Sequence, residues 1–516
     1  MRALLSVADR QGISALARDL QALGVEVYAT DGTREHLAAD GVEVGPVSDL
    51  TGQDASFAGG LVKTFHPSIY AGILARRDVD VQLGELAEQG IELLDLVVVN
   101  VKPFAPQVGE KRLPLEEVLD MIDVAGTALL AAAARNHGAV ASVSSPAAYP
   151  AVVNEIRARG GVSAELRQRL AAEAFAAIAA YHAEVAAYLN QVTNTTFPPH
   201  VSLVLEKVAD LSYGENPHQR AAFYRETTHR DGTIADAILV QGPAASFNDL
   251  LDLDAAWHIA RDFAAPTAVV VRHTDPVGIA SADDATTAFR HALETDPAAS
   301  FGAIAALNRP VDTQLAAEIA NGTFEAIVAP GFEDGALAIL ARRPDLEVLQ
   351  IPPNPAAGLR DYGIAALDFK RVGGGILVET LDATTLDRGQ LRVVTQRRPT
   401  LEELTDLLFA WRAVAHIRSN AIVLSRNLQT VGIGAAQTSR QVAVEIALRR
   451  AGDRAKTAVL ASDAYFPFPD VIAHAAIAGV TAIIQPGGSR RDQMAIEVAD
   501  RHHLAMVFTG RRHFRH

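Results

Sequence analysis

Cysteine is absent from the 516 residues. That absence excludes a disulfide framework, a thiolate-ligated zinc and a cysteine nucleophile, and it fits a reducing compartment. Lysine is scarce: Lys63, Lys102, Lys111, Lys207, Lys370 and Lys456 are all there are, and the remaining positive charge is arginine. In such a chain an arginine where lysine is customary says little, whereas a lysine in an unaccustomed place looks selected. Positive charge is also short overall, 46 Lys and Arg against 61 Asp and Glu, for a formal net charge of −15. An acidic surface disfavours a phosphate backbone or an anionic membrane, so neither nucleic acid nor a membrane is an expected partner. No uncharged apolar run reaches the roughly 18 residues that span a bilayer, and the run before Asp9 is too short for a secretory signal. A cytoplasmic location is the expectation. Apolar residues are plentiful, 49% against 21% charged, and at this length two to four domains with packed cores are expected.

Apolar periodicity opens as strand, helix, strand, helix: Ala3 to Val7, Ile13 to Leu23, Val25 to Ala29, then a helix from near Thr33. The intervening Thr30-Asp31-Gly32-Thr33 turn puts backbone N–H groups at a helix N-terminus, a usual place for phosphate, although taken alone it reads more simply as a helix cap. The continuous apolar run from Asp95 to Val101 is that of a buried parallel strand, so the first domain reads as doubly wound α/β. An alanine-rich helical stretch from Ala164 to Leu189 ends in Val192-Thr193-Asn194-Thr195-Thr196-Phe197-Pro198-Pro199, the best linker in the chain. It divides the sequence into residues 1–195 and 196–516. Beyond it, strands (Ala268 to Val271, Ala326 to Val328, Ala421 to Leu424, Ala458 to Ala461, Ala482 to Ile484) alternate with helices, and the two strand-rich stretches suit one fold used twice.

Several phrases are more specific than any periodicity. They are Val62-Lys63-Thr64-Phe65-His66-Pro67, Tyr213-Gly214-Glu215-Asn216-Pro217-His218-Gln219, Arg272-His273-Thr274-Asp275-Pro276 and Ser419-Asn420-Ala421, followed by the runs Gly432 to Arg440, Ser462 to Asp470 and Gln485 to Ser489, and the terminal Arg512-His513-Phe514-Arg515-His516. In this order, over the whole chain, they resemble the bifunctional AICAR transformylase/IMP cyclohydrolase family of purine biosynthesis. The resemblance implies an N-terminal methylglyoxal-synthase-like cyclohydrolase domain and a C-terminal transformylase region of two cytidine-deaminase-like subdomains. It also implies a homodimer, nucleotide and folate substrates, and 10-formyltetrahydrofolate as the cosubstrate. The zinc-deaminase signature needs a His/Cys/Cys set, which a chain without cysteine cannot carry, in agreement with the family's metal-free formyl transfer.

Formyl transfer to the amine of AICAR ribonucleotide needs a base for a poor nucleophile and a donor for the oxyanion. By resemblance His273 is the base and Asn420 holds the formyl oxygen, while Arg512 grips substrate phosphate. Tyr213 and His218 carry over as substrate contacts, Glu325 and Asp470 as acidic positions facing nucleotide or folate, and Phe468 as a stacking or core aromatic. Two departures matter. Arg272 stands for the family's lysine and cannot give up its proton near neutral pH, and Ser212 stands for an arginine on the phosphate side.

Ring closure needs an oxyanion stabiliser and a proton relay. Lys63, Thr64, Asn100 and Asp123 match family positions, with Lys63 the natural oxyanion partner, and Thr33 belongs to the phosphate-side turn. Departures are more numerous here: Ala8 for serine, Arg10 for lysine, Asp31 for glycine, Leu61 for arginine, Lys102 for tyrosine, Ala125 for glycine and Arg135 for lysine. Asp31 repels a phosphate dianion and Leu61 removes a cation, while Lys102 is either a replacement acid/base or a sign of another ligand. Three readings follow: an ordinary bifunctional enzyme of late purine synthesis, a diverged paralogue acting on an AICAR analogue in a specialised nucleoside pathway, or a regulatory protein with dead sites. Retention of His273, Asn420, Lys63 and Asp123 argues against the third.

Overall fold

The computed structural model describes residues 1–53, 64–101, 104, 113–227, 232–352, 367–382, 386 and 388–516. Leu61, Lys63 and Lys102 lie outside the described residues. The chain divides into two compact units, Met1–Val204 and Leu205–His516.

In the first unit, β1 (Arg2–Val7), β2 (Glu26–Ala29), β3 (Gly45–Pro46), β4 (Leu96–Asn100) and β5 (Ala141–Val143) form one parallel sheet in the order β3-β2-β1-β4-β5. The apolar runs are continuous because both faces are covered. Ala3, Leu5, Leu96 and Val98 pack with Ile13, Leu16, Leu20, Val152 and Ile156 of helices Ile13–Ala22 and Tyr149–Arg159. Their neighbours Leu4, Val97 and Val99 face the other way, onto Ile69, Ile73, Leu129 and Leu130 of helices Pro67–Leu74 and Val124–Arg135. Helix Ala164–Val192 buries Leu166, Leu170, Ala171, Ala174 and Tyr181 and leaves Phe175, Leu189 and Val192 exposed. Among the described residues it is the one helix long and apolar enough, by length and composition, to cross a membrane. The helix expected from near Thr33 begins two residues earlier and spans Asp31–Ala39.

The second unit is built around a twelve-stranded sheet. After a lone hairpin of β6 (Leu205–Leu211) and β7 (Ala221–Glu226) come β8 (Ile238–Gln241), β9 (Thr267–Arg272), β10 (Asp275–Ser281), β11 (Ile304–Leu307), β12 (Ala326–Ala329) and β13 (Glu347–Gln350). A second lone hairpin of β14 (Leu367–Val372) and β15 (Gly375–Thr380) precedes β16 (Arg392–Val393), β17 (Ile422–Arg426), β18 (Gln429–Gly434), β19 (Val459–Ser462), β20 (Ala482–Gln485) and β21 (Ala505–Phe508). The sheet order, β16-β21-β20-β19-β17-β18-β10-β9-β11-β12-β13-β8, reads alike from either end.

Each half is therefore one repeat: a helix, an antiparallel hairpin, three strands parallel to one another and an antiparallel edge strand. The likeness reaches single bonds. Helix Phe247–Ala260 starts with a capping box of Ser246 and Asp249, and helix Leu401–Val414 with one of Thr400 and Glu403. Each helix buries one of the chain's two tryptophans, Trp257 and Trp411, at the same distance from its cap. Both hairpins carry a bulge at the same place, between Pro276 and Gly278 in one and opposite Leu424 and Ser425 in the other. A Cβ on Gly278 would stand 1.9 Å from the Ala292 carbonyl oxygen, and one on Gly432 would stand 2.2 Å from that of Ala447, so both positions need glycine for the helix backbone lying against the strand. The fold used twice is thus present; the five strands expected from the sequence are β9, β12, β17, β19 and β20, and the other seven of the sheet, β10 and β18 among them, were not expected.

Candidate active sites

In the first unit the polar residues gather at the carboxyl ends of β1, β2 and β4, where the strand order reverses and loops diverge. The Asn100 amide oxygen accepts the N–H groups of Ala8 (2.7 Å) and Asp9 (2.8 Å), and its NH2 donates to the Asp9 carbonyl (3.0 Å). The Thr33 hydroxyl accepts the Val7 N–H (3.0 Å). Both side chains are buried and bound to backbone, so they shape the loop after β1. Thr64 differs: its hydroxyl is buried with no partner among the described residues. Asp123 caps helix Val124–Arg135 by accepting the Gly126 N–H (2.8 Å), and its own N–H donates to the Tyr181 hydroxyl (2.7 Å). Arg10 reaches the Gly32 carbonyl (3.3 Å) and Asp31 is exposed in the first helical turn, while Arg135 is exposed in the last turn of its helix and Ala125 is buried. Tyr149, which no motif flagged, lies beneath the glycine that starts the first helix, with its ring 3.6 Å from the Cβ position of Gly12. Burial, with the Asp9 charge beside it, pushes its hydroxyl up to about 12.

In the second unit His273 and Thr274 are the two residues of the β9–β10 turn, both left-handed at φ 54 and 64. Asp252, on helix Phe247–Ala260, accepts both of their N–H groups, at 2.9 and 2.6 Å. Arg418 donates to the His273 carbonyl (3.1 Å) and forms an ion pair with Asp275 (2.6 Å). Arg272 donates to the Phe301 carbonyl (2.6 Å). Its charge pulls against the burial and the Asp249 charge that together raise the Glu325 carboxyl above its ordinary range. Asp249, Gly302, Glu325, Arg343, Asp345 and Glu347 line a cleft of about 510 Å³ beside this turn. Burial, followed by the charges of Asp249 and Glu325, pushes Glu347 up to about 8, so its carboxyl is largely protonated at neutral pH.

Asn420 is fixed from two sides. Its NH2 donates to the Gln437 carbonyl (2.8 Å), its second N–H has no partner among the described residues, and its oxygen accepts from Arg440 (2.7 Å). Arg440 is buried against the fully buried Asp463, whose carboxylate also accepts the Ser419 hydroxyl (2.6 Å). The chain end is tied to this cluster through the His513 N–H on the Asp463 carbonyl and the Ser419 N–H on the Arg515 carbonyl (2.8 Å), which brings Arg512 close in sequence to the anchor. Arg512 itself is exposed over the Phe514 ring. Tyr213 and His218 are exposed on a turn closed by Asn216 and Gln219, and Asn248 donates to its Glu215 carbonyl (3.3 Å); Ser212 is exposed beside it. Phe468 is exposed under the Arg491 guanidinium, and Asp470 opens helix Asp470–Ile477. Among the described residues no hydrogen bond or ion pair joins Phe468, Asp470 or Arg512 to His273.

Motif reading missed Asp252, Arg418, Glu347 and Tyr149. Only Asp252 had a signal, its equal spacing from a helix cap to that of Asp406 in the second repeat.

A doubly wound unit and a duplicated one, each with polar side chains converging at strand ends, define a two-site α/β enzyme. Residues 12–128 match the model of the MGS-like domain and residues 133–450 that of the AICARFT/IMPCHase bienzyme. The bifunctional purine biosynthesis proteins PurH of Anoxybacillus flavithermus and of Thermoanaerobacter sp. (strain X514) are each 43% identical over 100% of this chain and 99% of their own. The solved structure titled "Crystal structure of ForH" is 37% identical, covering 36% of this chain and 97% of its own at a TM-score of 0.32. The chain belongs to the AICARFT/IMPCHase bienzyme family.

Proposed function

We propose that this chain carries out two successive steps of late purine biosynthesis, formyl transfer to the amine of AICAR ribonucleotide and dehydrative closure of the product to IMP. The observation that carries the reading is a likeness to PurH proteins that runs the full length of both chains, covering both units. In the second unit, the His273 imidazole takes the amine proton as the nitrogen bonds to the formyl carbon of 10-formyltetrahydrofolate. The unspent Asn420 N–H and the fixed charge of Arg272 stabilise the oxyanion, whose collapse expels tetrahydrofolate. Tyr213, His218, Glu325, Phe468, Asp470 and Arg512 bind the nucleotide and folate. In the first unit, Lys63 stabilises the oxyanion formed when the carboxamide nitrogen attacks the formamide carbon. Asp123 and Lys102 relay the protons lost with water, and Thr33, Thr64 and Asn100 frame the ligand. A cytoplasmic homodimer acting on small molecules completes the reading. Purified full-length protein given AICAR ribonucleotide and 10-formyltetrahydrofolate should release tetrahydrofolate and form IMP; absence of turnover together with absence of folate binding overturns it.

One observation favours the second reading, a paralogue for an AICAR analogue: the exposed carboxylate of Asp31 in the first turn of the helix after β2, where a phosphate would sit. Asp31→Gly should tighten binding of formyl-AICAR ribonucleotide by about 1 kcal/mol, the scale of one screened repulsion. If the unmodified protein closes that substrate at full rate and binds it tightly, the analogue reading fails.

A further inference from the structure

The turn that carries His273 is costly on its own. Two consecutive non-glycine residues hold left-handed φ values of 54 and 64, and the second is the β-branched Thr274, for which that region is rarely tolerated. Such a turn persists only when its surroundings over-determine it. Here the surroundings are specific: both oxygens of Asp252 on the two N–H groups, with Arg418 and the Thr274 hydroxyl donating to the intervening carbonyl. Resting on the reading of His273 as the base, we propose that Asp252 is a positioning residue for formyl transfer, fixing the turn so that the imidazole is aimed at the substrate amine.

The molecule contains its own control. In the second repeat Asn427 and Leu428 form the matching turn, both at φ 56, and Asp406 accepts their N–H groups at 2.8 and 2.7 Å. Sequence separations are identical, 21 and 22 residues in each repeat. Among the described residues the turn of the second repeat carries no imidazole and no Arg418-like clamp; Gln429 stands where Asp275 stands and bonds to the His291 carbonyl. If the aspartate served the fold alone, the two would be interchangeable in every measurement. If Asp252 aims His273, the two share a cost in stability and differ in catalysis.

The test uses the full chain with Asp252→Asn, Asp252→Ala, Asp406→Asn, Asp406→Ala and His273→Ala. It measures kcat and both KM values for formyl transfer, the rate of ring closure, and Tm. Misaiming a base costs on the order of 10- to 100-fold in kcat, so Asp252→Ala should lose that much with both KM values little changed. Asp252→Asn, which keeps one acceptor oxygen, should lose less. Asp406→Ala should lower Tm comparably and leave kcat within about twofold, well inside that range, and ring closure should be unaffected throughout. Equal kcat losses from Asp252→Ala and Asp406→Ala overturn the proposal, as does an unchanged kcat in both Asp252 variants when His273→Ala is dead. Retention of turnover by His273→Ala overturns the assignment of the base itself, and the two failures are thereby told apart.

Discussion

The two hairpin turns of the second unit, His273–Thr274 and Asn427–Leu428, share backbone conformation, supporting aspartate and neighbouring bulge, yet the side chains around them have parted company. Each turn follows an arginine, Arg272 donating to the Phe301 carbonyl and Arg426 to the Lys456 carbonyl, and the first repeat adds the carboxyls of Glu325 and Glu347 in the cleft beside its turn. The second has placed its polar investment at the start of β17 and the end of β19, where Ser419, Asn420, Arg440 and Asp463 interlock. Residue for residue after the strand, Asp463 has its counterpart in Asn308 following β11, and Asn308 spends its amide on the Thr267 N–H and on the carbonyls of Phe263 and Ala265. Backbone hydrogen bonds thus hold the scaffold constant while strand ends are free to change. On the proposed roles one copy supplies the base and the other the oxyanion donor, and Arg418 of the second copy is ion-paired with Asp275 of the first.

The sharpest way to break this division is His273→Ala against Asn427→Ala. Formyl transfer, followed as tetrahydrofolate release, should fall at least about 100-fold in the first, the loss expected for a general base, and by less than about twofold in the second. Next come the residues after the strands. Asp463→Asn leaves Arg440 buried without its carboxylate and should cost about 3–5 kcal/mol in chemical denaturation, whereas Asn308→Ala should cost about 1–3 kcal/mol.

Glu347, which opens β13 where Ala505 opens β21, distinguishes the repeats by pH. Burial, with the charges of Asp249 and Glu325, raises its folded carboxyl to about 8 from an ordinary value of 4.5. The folded state therefore holds a proton that the unfolded state has released between those values, and the group's contribution is complete below pH 4.5 and lost as pH rises through about 8. The gain in Tm from Glu347→Gln should accordingly grow from pH 5 to pH 8 and then level off. Smallest of all, Ser246→Ala and Thr400→Ala should each cost about 1 kcal/mol, and unequal costs would show that the repeats are alike in shape and not in energetics.

Much of this was readable in the residues. Strands β1, β2, β4, β9, β12, β17, β19 and β20 stand where the apolar runs place them, whereas the parallel strands β3, β5, β11, β13 and β21 were not expected, and the long helix ends at Val192 where the polar, proline-rich stretch begins. β10 was not readable: Asp275-Pro276-Val277-Gly278 has the composition of a turn, and only the pairing with β9 and the helix backbone lying on Gly278 explain why a proline and a glycine sit inside a central strand. His273 and Asn420 stood out because their neighbours form a phrase. Asp252 had no phrase, since its partners are 21 and 22 residues away and are backbone groups, which leave no mark on composition. Glu347 stands out first through burial, a property of the packed strand and not of the letter.

The seam between β10 and β18 has a consequence for ancestry and engineering alike. Ala280 pairs with Gln429 there, and Thr430 exchanges hydrogen bonds with Ile279 and Thr295 across it. A single repeat cut out of the chain would expose a strand of six or seven residues with its row of N–H and C=O groups open to water. Unpaired edges of this kind recruit whatever strand fits. In the chain each repeat covers the other's edge in this way, antiparallel and in a strand order that reads alike from both ends, so the tandem unit is built like a two-fold dimer whose halves share one chain.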